Sequence, residues 1–215
     1  MTEGRDADFY ASDVAFTSSV KAMQARKGSR QAIEAMEKQR CWETRITRDL
    51  AEFIEAQTSV FLATASKSGQ PYIQHRGGPK GFLKVLDEKT IGFADFAGNR
   101  QYISLGNLAE NPKAHLFLID YVNRQRVKIW GEARIVENDA ELLKRLMPQR
   151  YRARPEQVLL FRVATWDANC AQHIPQRFDA PDVASTLTEQ AQRIATLETE
   201  LSRLQAETSR RESGL

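Results

Sequence analysis

A chain of 215 residues can bury one sizeable core with appendages, and its 31 Lys and Arg against 28 Asp and Glu leave a net charge of only +3. So small an excess argues against a nucleic-acid binder, which concentrates its basic residues, and no apolar run approaches the ~20 residues that a bilayer-spanning helix needs. Residues 1–8 are polar, with no apolar signal core, so the expected compartment is the cytoplasm; there Cys41 and Cys170, far apart and outside any C-x-x-C pair, read as free thiols.

In chain order, residues 12–56 read as helical. Ser12-Asp13 offers a first cap before Val14, Val20 and Met23, and Gly28 is a break. Ser29 opens a second helix through Ile33, Ala35 and Met36. Thr47 caps a third, where Leu50, Phe53 and Ile54 fall at i, i+3 and i+4 on one buried face. From residue 59 the period falls to two. Segments 59–65 and 72–76 form a hairpin around the turn at 67–71; strands follow at 82–86, 90–95, 114–121 and 126–136, with turns at 87–89 and 123–125. A short helix at 139–147 precedes a strand at 158–165. Short strands with little helix between them favour a closed or split antiparallel barrel over a βαβ fold.

The tail changes period again. Leu187, Ile194 and Leu201 recur every seven residues, and Val183, Gln190, Leu197 and Leu204 form a second seam. These are the a and d positions of about three heptads, with Arg193 at g and Glu198 at the following e. Two arrangements satisfy the pattern: a parallel dimeric coil, or one amphipathic helix folded back on its own domain. The chain thus divides into a helical extension (1–57), a β domain (58–178), and a linker with a heptad helix (179–215).

The candidate chemistry centres on Gly98-Asn99-Arg100-Gln101, a turn followed by a short helix that ends at Asn111-Pro112. Small residues, a side-chain amide and a guanidinium at a helix start suit a phosphate, and Arg76, Lys80, Lys84 and Arg126 lie in the flanking β segments. In a strand at 82–86, Lys80, Phe82 and Lys84 share a face. Gly77, Gly78 and Gly81 allow either close approach by a flat ring or a bulge. The segment 166–175 carries Trp166, Cys170 and His173 in one loop after a strand, which suits ring stacking or plain packing; a Cys170–His173 nucleophile pair has no third member. His75, His115 and His173 lack metal-ligand spacing, so no metal is expected.

Arg76 through Lys84, Phe93-Ala94-Asp95, Gly98 through Gln101, Glu110-Asn111-Pro112 and Gln125 through Ala133 follow an ordered pattern. In it the chain resembles the pyridoxamine 5′-phosphate oxidase-like FMN-binding split-barrel family, over residues 58–137 and more loosely over 158–178. The resemblance implies a mainly β fold with flanking helices (α+β): a six-stranded antiparallel split β-barrel, here with a helical N-terminus and a coiled-coil-like C-terminal helix. It also implies a homodimer with FMN at the interface. Lys84 matches the strand lysine near the flavin ring, next to Gly81, Phe82 and Leu83. Arg100 matches a phosphate-binding arginine, Asn99 stands where the family often has serine, and Gln101 where it often has lysine. Ala94 and Asp95 fall in the segment that faces the flavin, Arg126 in the place of a ring-contacting glutamine, and Trp166 in that of a C-terminal tryptophan. Pro79 replaces a phosphate-binding arginine, for which Arg76 is the substitute. The cluster that grips pyridoxal phosphate is missing. The implied function is an FMN-dependent oxidoreductase acting on an unidentified small molecule with a nicotinamide electron donor, with His173 as proton donor. The alternative is a non-catalytic dimeric flavin-, deazaflavin- or haem-binding storage or sensor protein.

Overall fold

A computed structural model describes residues 10–169 and 171–213. Cys170, and with it the Cys170–His173 pair, lies outside the described residues. After a 3-10 turn at Ala11–Val14 come helices α1 (Ser18–Arg26), α2 (Arg30–Gln39) and α3 (Arg48–Ala56). Thr17 caps α1 and Thr47 caps α3, each hydroxyl accepting from the N–H three residues on, at 3.3 and 3.2 Å. Gly28, at φ +79°, turns the chain between α1 and α2. Ser12 is not the expected cap: its hydroxyl is buried and donates to Glu37 Oε1 at 2.6 Å, while Arg30 donates to Glu37 Oε2 at 2.8 Å. A buried carboxylate needs such partners, and here they lock the 3-10 turn to α2.

Seven strands follow: β1 (Ser59–Ala65), β2 (Pro71–Gly77), β3 (Lys84–Asp87), β4 (Thr90–Phe96), β5 (Lys113–Asp120), β6 (Gln125–Val136) and β7 (Pro155–Asn169). Between them lie α4 (Ile103–Glu110) and α5 (Ala140–Leu146). The strands form one antiparallel sheet in the order β2-β1-β5-β6-β7-β4-β3. This corrects the six-stranded, mainly β barrel. There are seven strands, the order leaves β2 and β3 as unjoined edges, and helical residues outnumber strand residues among those described. The helical excess comes from the N-terminal helices and from α6 (Ala180–Ser213), a single helix of 34 residues.

Two strand boundaries also differ from expectation, for physical reasons. Segment 82–86 begins pairing only at Lys84, because the backbone before it is spent on a turn, the Phe82 N–H donating to Pro79 O at 3.0 Å and the Gly81 N–H to Glu55 O at 2.8 Å. Gly81, at φ +80°, makes the turn that brings Phe82 and Leu83 into the core. At the other end, Trp166–Asn169 is strand rather than loop, pairing with Arg126–Ile129 of β6. The core sits where the inward residues of β1 (Val60, Leu62), β5 (Leu116, Leu118) and β6 (Val127, Ile129) meet Leu50 and Ile54 of α3 and Phe82, Phe93 and Phe161. Full burial of such a side chain is worth about 1.5–3 kcal/mol.

The chain divides into two compact units. The first takes the chain up to Asp120 and again over Arg124–His173; the second takes Tyr121–Asn123 and the chain from Ile174 on. In the second, the Arg177 guanidinium lies 4.6 Å from the Tyr121 ring centre and Gln176 Nε2 donates to Val122 O at 2.9 Å. Among the described residues no helix is long and apolar enough to cross a membrane.

Candidate functional site

The turn from β4 into α4 is built by local chemistry. Asn99 Oδ1 accepts from the Gln101 N–H at 3.2 Å, and Arg100 and Tyr102 take positive φ of 59° and 52°. Tyr102 contributes no side-chain cap to α4, and the first intrahelical bond is Gly106 N–H to Tyr102 O at 2.9 Å. The N–H groups of Ile103, Ser104 and Leu105 therefore have no acceptor within the helix, and they carry the positive end of its dipole. All three residues line a solvent-open cleft.

The opposite wall is set by alternation along β2. Tyr72, Gln74 and Arg76 share one face, half-buried, and line the cleft. Ser104 Oγ donates to Gln74 Oε1 at 3.2 Å, tying α4 to this strand. At the base, Asp95 Oδ2 accepts from Gln157 Nε2 at 2.9 Å, a contact fixed by the Asp95–Gln157 register of β4 and β7. Arg76 Nε stands 3.3 Å from Asp95 Oδ1, but neither atom makes a hydrogen bond, so a buried donor and a buried acceptor face each other misaligned. Arg100 Nε is 4.0 Å from Glu156 Oε1 at the exposed rim.

This donor set fits a phosphate ester. The orphan N–H groups and two guanidinium groups receive the anion. The unsatisfied Asp95 Oδ1 is an acceptor for a hydroxyl or N–H on the same ligand. Asp95 and Glu156 each balance one arginine, so a ligand with charge alone competes poorly with one that also brings donors.

The cleft brings together five of the expected residues, Arg76, Asp95, Asn99, Arg100 and Gln101, with Ala94 buried next to Asp95. The others lie elsewhere. Gly81 is in the turn, while Phe82 and Leu83 are in the core, Phe82 edge-on to Phe93 at 6.2 Å. Lys84 Nζ donates to Arg145 O at 2.6 Å, at the C-terminal end of α5. Arg126 is the second residue of β6, opposite Ile119 and Asn169. Trp166 Nε1 donates to Arg45 O at 2.8 Å, and His173 is exposed at φ 64°. Sequence reasoning missed Tyr72, Gln74, Ser104, Glu156 and Gln157. The i, i+2, i+4 spacing of Tyr72, Gln74 and Arg76 was a usable signal; Glu156 and Gln157 precede the expected start of their strand and gave none.

Away from the cleft, His115 meets the Trp130 ring edge-on at 4.8 Å, and Trp130 stacks on Trp42 at 4.8 Å. Burial, and then the Lys128 charge, push the His115 pKa down to about 4.

A family model described as pyridoxamine 5′-phosphate oxidase matches residues 46–170. Among solved structures, HupZ of Group A Streptococcus is 24% identical, with 62% of this chain and 99% of that chain covered and a TM-score of 0.46. An FMN-binding protein from Syntrophomonas wolfei is 16% identical, with 69% and 97% covered and a TM-score of 0.44. HutZ, a heme storage protein from Vibrio cholerae, is 16% identical, with 58% and 94% covered and a TM-score of 0.40. No curated protein sequence matches the chain.

Proposed function

The chain belongs to the pyridoxamine 5′-phosphate oxidase family, and from that membership we propose that it is a cytoplasmic, homodimeric FMN-dependent oxidoreductase whose cleft at the start of α4 takes the cofactor's phosphate. The observation that carries this reading is the uncapped α4 N-terminus, with Arg76 and Arg100 on the walls of the same cleft. When bound, FMN supplies the two-electron redox chemistry between a nicotinamide donor and a small-molecule substrate. The chain's own residues bind and orient. Arg76, Arg100 and the first N–H groups of α4 hold the phosphate, Asn99 shapes the turn, and Asp95 accepts from a donor group of the ligand. Protein as purified should be yellow, and apoprotein should quench FMN fluorescence with saturable affinity. Colourless protein without that titration sinks the reading.

A second reading, a non-catalytic flavin-, deazaflavin- or haem-binding storage or sensor protein, is favoured by one observation. Lys84 and Trp166, the residues expected beside the flavin ring, spend their polar groups on Arg145 O and Arg45 O. Anaerobic mixing with NADH or NADPH separates the two: rapid bleaching of bound flavin supports the enzyme, and flavin that stays oxidised supports the binder.

A further inference from the structure

Helix α6 is about 51 Å long at 1.5 Å per residue, and its apolar seam is bare. Val183, Leu187, Ile194, Leu197, Leu201 and Leu204 are 42% to 64% exposed. Six large aliphatic side chains in one stripe exceed the scattered apolar exposure of an ordinary surface. Five threonines lower the intrinsic stability of α6. Thr186, Thr188, Thr196, Thr199 and Thr208 are weak helix formers whose hydroxyls turn back to the carbonyl four residues earlier. Helices of such composition are held by what packs on their apolar face.

We propose that the occupant of this face is α6 of a second copy, in a parallel, in-register two-stranded coil. Two features select that partner and orientation. Arg193 at g meets Glu198 at e of the other copy twice by symmetry, so the flanks of the seam are complementary to themselves. Gln190 occupies a d position. In a parallel pair it faces Gln190 of the partner subunit, and the two amides satisfy each other. In an antiparallel pair with Ile194 opposite Leu197 it would face a leucine, leaving a buried amide unpaired. Gln190 therefore sets register and direction at some cost in stability.

The test uses the full chain with Cys41→Ser and Cys170→Ser. In the parallel coil, residue 204 lies beside its own copy, within the Cα separation that a disulfide spans. Leu204→Cys should form a covalent dimer under mild oxidation about a hundredfold faster than Gln192→Cys, which lies on the outer face, because coil pairing raises the local thiol concentration to the millimolar range. Adding Ile194→Lys and Leu197→Lys should abolish this cross-link. Equal rates for Leu204→Cys and Gln192→Cys overturn the proposal. So does preferential cross-linking of a Leu187→Cys/Leu204→Cys mixture, which marks an antiparallel pair. The outcome is independent of FMN: a sheet-mediated dimer without the coil still sediments as a dimer but leaves Leu204→Cys uncross-linked.

Discussion

Arg100 and Tyr102 both sit at positive φ, where a side chain costs roughly 1 kcal/mol or more, and they immediately precede the first free N–H groups of α4. Arg100→Ala keeps the strain and removes the guanidinium; Arg100→Gly removes both. Both variants should weaken FMN binding about tenfold or more in fluorescence titration, the worth of one charge-assisted hydrogen bond. In thermal melts Arg100→Gly should be the more stable of the two, and equal stability would show that the backbone is not strained there. His115 gives a prediction in pH. Its pKa in the folded chain, about 4, lies below the ordinary 6.5, so between these values the unfolded chain binds a proton that the folded chain refuses. Stability should therefore fall as pH drops from 6.5 to 4, by at most about 1.4 kcal/mol per pH unit, and level off below. His115→Gln should remove that component from urea titrations run across the range. Legibility at this scale follows distance along the chain. Asn99, Arg100 and Gln101 could be read because an Asx turn and a helix start are made by neighbours. The placements of Lys84 and Trp166 could not, because their acceptors lie 61 and 121 residues away.

Elements were legible where one period ruled them. Thr47 with the Leu50, Phe53, Ile54 face, and the hairpin of β1 and β2 around Gly69, emerge as read. The failures occur where the period breaks: at Phe82-Leu83, where a turn buries two residues in succession, and at β7, where pairing with β6 carries the strand through Trp166–Asn169. That long pairing survives an irregularity at Trp130/Gly131, where the register shifts. Gly131 is required there by space. A Cβ would stand 2.0 Å from Arg162 O and 2.6 Å from the Phe161 ring, so one methyl group collides with backbone and core together. Gly131→Ala should cost about 1–3 kcal/mol or more by chemical denaturation, as overpacking does, while Gly98→Ala, with nothing within 4 Å of its Cβ, should cost far less. Comparable losses at the two positions would mean that the bulge can shift to make room.

At the scale of the whole molecule, the candidate cleft and the heptad helix belong to different compact units. The residues lining the cleft run from Tyr72 to Gln157, all in the unit built on the sheet. A chain ending at residue 179 keeps every one of them, along with the core of α3 and the seven strands. It should therefore bind FMN with unchanged affinity, and FMN at a hundred times its dissociation constant should stabilise it by about 2.7 kcal/mol, the same as expected for the full chain. What truncation should change is the response to dilution. If the sheet unit supplies a dimer interface, the truncated protein still sediments as a dimer and its melting temperature still rises with concentration. If α6 supplies the principal interface, the truncated protein is monomeric and its melting temperature is independent of concentration. Calorimetry and sedimentation on the same two proteins measure both properties at once. Loss of FMN binding in a truncated chain that still melts cooperatively would mean that the site draws on the tail, against its assignment to the sheet unit alone.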